Sequence, residues 1–284
     1  MNYKAIWPLL QQTFSDWNKH DAPRLGAAIA FYSILSLAPL VIVTIAIVAL
    51  AFGRDTAQHH LLSQVEAMIG PQGAEAVQAM IESGQKGASG IFSTIVGVIT
   101  LLLGASGVFG ELRSALNTMW DATPPAEGGL WRMISERFLS FGMVMAVGFL
   151  LLVSLAVSAA LAAFGKYWGG LLPMPEMVLS AINFVISMAG ITALFGLIFR
   201  YVPAVRIGWR SLWIGAAATA LLFTIGKYLI GLYLGKAAVG SAYGTAGSLV
   251  VVIVWVYYSA MIFLFGAEFT QVLDTRSATN TEST

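Results

Sequence analysis

The chain has 284 residues, of which 58% are hydrophobic and 10% are charged, and its formal net charge is +1. Soluble domains carry about 25% charged residues, so this composition excludes an ordinary soluble domain, and the small net charge offers no basic field for nucleic acid. The absence of cysteine excludes disulfides, thiol catalysis and cysteine metal sites.

Residues 1–24 predict a helix at the membrane surface. Its large apolar side chains recur at helical spacing and form one face, consisting of Trp7, Leu10, Phe14 and Trp17. Such a helix can lie in the cytoplasmic interface with its tryptophans at headgroup depth, or it can pack against the ends of other helices. The segment has no short apolar core followed by a cleavage site, so we expect no signal peptide.

Six apolar segments follow, and each is long enough to cross a bilayer, which takes about 20 mostly apolar residues. They are Leu25–Phe52, Ile91–Leu112, Phe138–Phe164, Val178–Phe199, Ser211–Leu234 and Gly247–Thr270. The sequence therefore predicts an all-α fold, a polytopic membrane helical bundle with six transmembrane helices over residues 25–270.

Lysines and arginines in the connecting segments predict the orientation of these helices. They are concentrated at the N-terminus, in the second and fourth loops and at the C-terminus, and the fourth loop holds Arg200, Arg206 and Arg210 without any acid. Loops rich in lysine and arginine stay in the cytoplasm. We therefore expect both termini in the cytoplasm, an N-in/C-in topology.

The longest connection, Gly53–Gly90, is predicted to lie in the periplasm and to contain two short amphipathic helices separated by Gly70 and Pro71. One apolar stripe consists of Leu61, Leu62, Val65, Met68 and Ile69, and the other of Ala76, Val77, Met80 and Ile81. We expect the acids on the opposite faces to be solvated rather than to bind a ligand.

The last predicted span lies between two polar segments of different character. The segment Gly240–Gly247 is rich in glycine and small residues, and Tyr243 is its only large side chain. It is a candidate periplasmic gate, with a tight connecting turn as the alternative. The segment 271–284 is rich in serine and threonine, and we expect it to be a disordered cytoplasmic tail.

Four stretches of the sequence resemble one known family. They are LGAAIAFYSILSLAPL at Leu25–Leu40, ELRSALNTMW at Glu111–Trp120, FRYVPAVRIGWRSLWIGA at Phe199–Ala216 and YGTAGSLVVVIVWVYYSAMIFLFGAEFTQ at Tyr243–Gln271. In this order and spacing they resemble the YihY/BrkB family of bacterial inner-membrane proteins, long mislabelled as ribonuclease BN. The resemblance runs from about Trp17 to Asp274. It implies six helices and an inner-membrane location, and the roles suggested for the family are transport of lipids or other solutes and support of envelope integrity.

The histidines and acids do not form the pattern of an enzyme. A metal-dependent hydrolase needs several His, Asp or Glu side chains that converge on an ion, and His20, His59 and His60 have no such set around them in sequence. No phosphate-binding glycine loop precedes a lysine. The sequence therefore argues against ribonuclease activity and predicts a protein that is not an enzyme, with no catalytic residue, cofactor or metal.

Charged residues fall near the ends of the predicted spans rather than at their centres. One interpretation of those in the cytoplasmic layer is ion pairing between helix ends, and the other is a site for an anionic headgroup. Lys227, in the outer half of the fifth span, either extends to the headgroups or acts as a buried lysine. The candidate contacts for a substrate or headgroup are Glu111, Arg113, Asn117, Arg200, Arg206, Arg210, Lys227, Tyr243 and Glu268.

These features favour a protein that transports or organises a lipid or another envelope amphiphile, with membrane lipids as its partners. Two alternatives stay open. The first is an ion or small-solute carrier of the antiporter type, although no acid lies near the middle of a span, where coupled carriers usually hold one. The second is a structural partner that docks periplasmic envelope proteins through Gly53–Gly90.

Overall fold

The computed structural model describes residues 3–87, 107–122, 176–236 and 246–282. Its helices are, in chain order, α1 (Tyr3–Lys19), α2 (Ala22–Phe52), α3 (Arg54–Ile69), α4 (Pro71–Gly87), α5 (residues 107–119), α6 (Glu176–Tyr201), α7 (Trp209–Lys236) and α8 (Gly247–Glu282). No strand occurs within these ranges, so the predicted all-α class is confirmed for the part of the chain that the structure describes.

Three of these helices are long and apolar enough to cross a membrane. Their apolar stretches are Phe184–Tyr201 in α6, Trp209–Leu234 in α7 and Gly247–Ala278 in α8. A further apolar stretch, Ala22–Leu37 in α2, is shorter. Long continuous helices pair their backbone polar groups internally, which is the condition for crossing hydrocarbon. The positions agree with the first, fourth, fifth and sixth predicted spans.

Two predicted spans lie wholly or mostly outside the described residues. Phe138–Phe164 is entirely outside them, and of Ile91–Leu112 only residues 107–112 are described, at the start of α5. The number of six crossings and the N-in/C-in orientation therefore stay predictions.

One face of α7 carries exposed apolar side chains. Ile225, Leu229 and Leu232 are each about half exposed, and their spacing of four and three residues places them on one side of the helix. On a soluble protein a continuous face of this kind would promote association, whereas in a bilayer the lipid chains cover it.

The chain divides by packing into two compact units. The first draws on Met1–Asp16, Leu116–Leu222 and Phe265–Thr284, and the second on Trp17–Ala115 and Phe223–Leu264. Each unit has a core of its own, and α7 and α8 contribute residues to both.

In the second unit, α2 packs against α3 and α4. Gly53 and Gly70 adopt φ angles of 83° and 91°, a left-handed conformation that costs glycine nothing, and these two residues separate the three helices. The core between the helices consists of Val41, Ile45, Ala57, Val77 and Ile81. Both short helices predicted for this connection are therefore confirmed, and each places part of its apolar stripe in the core.

The second unit also joins α2, α7 and α8. Ile230 and Leu234 of α7 pack with Val251 of α8 in a buried cluster. Gly26 of α2 lies close to the side chains of Tyr257 and Met261 of α8. These contacts are apolar, as expected for helices whose association in lipid depends on close packing.

In the first unit, α7 and α8 run antiparallel in close contact. Gly215 of α7 faces Thr270 of α8, and Thr219 of α7 faces Gly266 of α8. The two threonines are completely buried. Each hydroxyl donates to the carbonyl oxygen of the glycine four residues earlier in its own helix, at 2.7 Å in both cases, so no polar group is left unsatisfied at this contact.

The helix α8 continues to Glu282, and it therefore includes most of the segment 271–284, for which the sequence predicts a disordered tail. The hydroxyls of Thr275 and Ser277 each donate to the carbonyl oxygen four residues earlier, at 3.1 and 2.8 Å. These polar side chains therefore form hydrogen bonds with the backbone of their own helix. A segment rich in serine and threonine is otherwise typical of coil. Arg276 adds contacts to α1.

Candidate functional site

The helices α6 and α7 are joined by residues 202–208, which we call the arginine loop because it contains Arg206. The helix α6 ends just before this loop, where Pro203 disfavours a helical conformation for the residue that precedes it. Val202 and Ile207 are buried, whereas Arg206 is exposed. The loop is thus anchored by apolar side chains near both of its ends.

Asn117 and Arg200 hold the arginine loop by its backbone. The Asn117 Oδ1, on α5, accepts a hydrogen bond from the Ala204 N–H at 2.9 Å. The Arg200 Nη1, near the end of α6, donates to the Ile207 carbonyl oxygen at 3.0 Å. Because these backbone groups have no helical partner, each bond satisfies a group that would otherwise need water.

Asp274 of α8 holds the last residue of the loop. Its Oδ1 accepts a hydrogen bond from the Gly208 N–H at 3.3 Å. Three helices, α5, α6 and α8, therefore each contribute one polar side chain to the backbone of the arginine loop. This bracing fixes the conformation of a segment that lacks regular secondary structure.

The guanidinium group of Arg200 has a second role. Its Cζ lies 4.7 Å from the centroid of the Trp209 ring, a cation–π contact worth about 0.5–1 kcal/mol at an exposed site. Since the same guanidinium also donates to Ile207, Arg200 connects α6, the loop and the first residue of α7. Both of these contacts of Arg200 are structural.

An aromatic cluster lies beside these contacts in the first unit. The Trp120 ring meets Phe199 edge to face at 5.9 Å, and Phe199 stacks on Phe195 at 6.3 Å. The Trp120 Nε1 donates to the Ala267 carbonyl oxygen of α8 at 2.9 Å. Trp120 and Phe199 are buried, so this cluster ties α5 and α6 to α8.

The exposed surface of this region combines arginine with aromatic side chains. Arg206 and Arg210 are exposed, and within the ranges that the structure describes neither makes an ion pair or a side-chain hydrogen bond. Tyr201, Trp209 and Trp213 are about half exposed on the same stretch of chain. Tryptophan and tyrosine favour the layer between hydrocarbon and water, where arginine meets the phosphates of lipids.

Glu268 is a buried acid among the described residues of this unit, with 1% of its surface exposed. It lies in α8 between the buried Ala267 and Thr270. A buried carboxylate is costly unless its neighbours compensate it. No group of three or more histidines and acids that could hold a metal ion occurs among the described residues.

The remaining predicted site residues lie elsewhere. Glu111 and Arg113 are half-buried on α5, in the second unit. Lys227 is exposed on α7 beside the exposed Tyr228. Tyr243 and most of Gly240–Gly247 lie outside the described residues.

Sequence reasoning missed Asp274, Trp120 and Trp209 as parts of this region. One signal was available for Trp120, because it follows Asn117 by three residues and so shares its helix face. The other two give no local signal, since their roles depend on backbone atoms and a guanidinium contributed by other parts of the chain.

Apolar helices long enough to cross a bilayer, with arginine and tryptophan exposed at a helix connection, define the chain as an α-helical integral membrane protein. Its sequence matches the family described as Virulence factor BrkB over residues 13–284. The chain therefore belongs to that family, which confirms the resemblance noted in the sequence.

The chain is similar to several curated membrane proteins. A UPF0761 membrane protein from Rhodospirillum centenum is 29% identical over 263 residues, which cover 90% of this chain and 55% of that protein. Similar proteins from Pseudomonas aeruginosa and Verminephrobacter eiseniae are each 28% identical, over 87% and 94% of this chain. The chain spans 58% and 62% of these two relatives. No solved structure matches the chain.

Proposed function

We propose that this chain is a multi-pass protein of the bacterial inner membrane that is not an enzyme and that transports or organises a lipid or another envelope amphiphile. In this proposal the arginine loop faces the cytoplasm and binds an anionic headgroup through Arg206 and Arg210. The observation that carries the proposal is that two exposed arginines stand on a braced loop beside exposed tryptophans.

The chemistry of these residues supports a phosphate ligand. The guanidinium group presents several N–H donors in a plane that matches phosphate oxygens. Because Asn117, Arg200 and Asp274 already hold the loop backbone, binding would order little additional chain, and this lowers its entropic cost. Trp209 and Trp213 supply apolar surface for the adjoining part of a lipid.

The first experiment measures headgroup binding. The full chain in nanodiscs of phosphatidylethanolamine is titrated with phosphatidylglycerol carrying a fluorescent acyl chain. The variants Arg206→Gln and Arg210→Gln, singly and combined, are compared with the unaltered protein. Each basic residue near anionic lipid contributes about 1 kcal/mol, so each replacement is expected to weaken binding about fivefold. Raising the salt concentration should also weaken the binding of phosphatidylglycerol to the unaltered protein.

A matched control separates the site from general charge. Arg54 at the start of α3 is also exposed, and Arg54→Gln removes the same charge from a different segment. It should leave phosphatidylglycerol binding within about twofold of the unaltered protein, a shift of under about 0.5 kcal/mol. Equal losses for Arg54→Gln and Arg206→Gln, or equal binding of phosphatidylcholine, would contradict a headgroup site at the loop.

Movement of lipid is measured separately. Proteoliposomes that contain fluorescent phosphatidylglycerol are treated with a membrane-impermeant quencher of the label, and the fraction protected inside is followed over time. The protein should accelerate loss of the protected fraction, and the double arginine variant should do so more slowly. Binding without acceleration would favour a protein that organises lipid over one that transports it.

The orientation is tested by labelling, which the absence of cysteine makes simple. Val205 in the arginine loop and Gln64 in α3 are both exposed. In intact cells an impermeant thiol reagent should label Gln64→Cys and not Val205→Cys, because the proposed topology places α3 in the periplasm and the loop in the cytoplasm. The opposite pattern would remove the basis for a cytoplasmic headgroup site.

Glu268 supports the second candidate, an ion or small-solute carrier. Ionisable residues inside a membrane helix are functional candidates because burying them is costly, and this one is buried in α8. If the chain is such a carrier, the uptake of its ion or solute into proteoliposomes should depend on pH. Glu268→Gln should abolish that pH dependence while leaving the protein folded. Unchanged uptake in this variant would count against the carrier.

A further inference from the structure

The helix α1 has two adjoining faces with different environments. Leu9 is buried and packs with Val272 and Leu273 of α8, and Thr13 is completely buried, with its hydroxyl donating to the Leu9 carbonyl oxygen at 2.9 Å. The other face is exposed although its side chains are large and apolar. The exposed fractions are 40% for Ile6, 66% for Trp7, 37% for Leu10 and 57% for Phe14.

The contact with α8 places α1 near one end of that helix. The helix α8 has 36 residues, which is about 54 Å of helix and exceeds the roughly 30 Å of bilayer hydrocarbon. Polar residues such as Gln271, Asp274 and Arg276 mark its C-terminal part as the end outside the hydrocarbon. Since α1 packs on Val272 and Leu273, it crosses α8 at the level of the headgroups.

Arg276 clamps α1 on one side. Its Nε and Nη2 donate to the Gln12 Oε1 at 3.0 and 2.7 Å, and Nη2 also donates to the Pro8 carbonyl oxygen at 3.1 Å. Gln12 is two residues from both Leu10 and Phe14, and two residues correspond to about 200° around a helix. The clamp therefore holds the side of α1 that faces away from the exposed apolar side chains.

We propose that α1 is a membrane-surface helix that inserts Trp7, Leu10 and Phe14 into the lipid interface, and that Arg276 sets the rotation of α1 about its axis. A lipid surface is the occupant that fits, because the contact with α8 puts α1 at headgroup depth and its exposed face is aromatic and uncharged. This inference does not depend on the arginine loop or on its ligand.

The cysteine-free chain allows a direct test with spin labels. Leu10→Cys and Ser15→Cys are prepared in the full chain, since the two positions lie about 140° apart around α1 and Ser15 is exposed on the polar side. In nanodiscs of phosphatidylglycerol and phosphatidylethanolamine, the label at Leu10 should collide more with oxygen and the label at Ser15 more with a water-soluble nickel chelate. The ratio of the two accessibilities should differ at least severalfold between the positions.

Two results would overturn the membrane-surface assignment. A label at Leu10 as accessible to the chelate as the label at Ser15 would place the face in water. A label at Leu10 shielded from both reagents would place it against protein, and dipolar broadening between labels would identify that protein as a second copy of the chain. Each labelled variant should elute from a size-exclusion column at the size of the unaltered protein, which shows that the cysteine and its label have not disrupted the fold.

The role of Arg276 is tested on the same labels. In Arg276→Gln and, independently, in Gln12→Ala, the accessibility ratios at the two positions should converge, because α1 loses the contact that fixes its rotation. Arg276→Lys keeps a charged donor and should retain part of the difference. Unchanged ratios in both Arg276→Gln and Gln12→Ala would show that the clamp does not orient the helix.

Discussion

Thr219 of α7 lies directly against Gly266 of α8, and Thr270 of α8 repeats the relation with Gly215 of α7. In each helix the glycine and the threonine are four residues apart, so the two contacts stack along one antiparallel seam. Glycine allows the backbones to approach, and the threonine hydroxyls donate within their own helices. The seam therefore combines close packing with satisfied polar groups, as helix contacts in lipid require.

Gly215→Ala should destabilise the protein through this seam. A Cβ at position 215 would overlap the Thr270 side chain, and overpacking of this kind costs about 1–3 kcal/mol. Gly231→Ala is the matched control on the same helix, because a Cβ there meets nothing within 4 Å. Thermal unfolding in detergent, followed by circular dichroism, should show a lower midpoint for Gly215→Ala and little change or a slight gain for Gly231→Ala. Equal midpoints would contradict the close approach.

Asn117→Leu should loosen the arginine loop. The substitution removes the acceptor for the Ala204 N–H, and a net loss of about 1 kcal/mol is expected for one such bond. Hydrogen–deuterium exchange of residues 202–208 should become faster by about fivefold, which is the ratio for that free energy. Asn117→Asp keeps the acceptor oxygen and should leave exchange of the loop close to that of the unaltered protein. If both variants exchanged alike, the Asn117 side chain would not be what holds the loop.

Trp120→Phe should weaken the packing of α5 on α8. It removes the donor to the Ala267 carbonyl oxygen while keeping an aromatic ring near Phe199, so a loss of about 1–2 kcal/mol is expected from the bond and the smaller ring. Trp213→Phe, at a half-exposed position, should cost less. The comparison uses unfolding by denaturing detergent, monitored as loss of helicity, and a larger effect at Trp213 would contradict the assignment.

The last turns of α8 should protect α1 from exchange. Truncation after Asp274 removes Arg276 and its bonds to α1, so amide exchange in α1 should rise by about tenfold, which corresponds to about 1.4 kcal/mol. Truncation after Ala278 retains Arg276 and is the matched control. If the two truncations raised exchange equally, the protection would come from the residues beyond Ala278 and not from the arginine.

The sequence predicts a helix boundary well where the residues at that boundary determine it. The breaker Gly70-Pro71 separates α3 from α4 as predicted, since positive φ and proline act on the chain at that position. The C-terminal end of α8 depends instead on contacts with distant residues. Its serines and threonines are typical of coil, but Arg276 binds Gln12 and Pro8, more than 260 residues earlier in the chain.

The same distinction applies to the candidate site. The sequence predicts ion pairing or headgroup binding for Arg200 from its charge and position, and it offers Asn117 only as a candidate contact near a helix end. The structure shows them donating to or accepting from the backbone of the arginine loop. Almost every residue has a backbone carbonyl and N–H group. The sequence therefore does not show which of these groups forms a hydrogen bond with a distant side chain.

By itself, the sequence determined that this protein is built from apolar helices for a membrane and that its arginines flank them, because hydropathy and charge are properties of each side chain. Only the tertiary structure decided that Arg200 holds the arginine loop, that Arg276 holds α1, and which face of α1 is buried. Those outcomes depend on distances between residues far apart in the chain, and hydrogen bonds and close packing form only within a few ångströms.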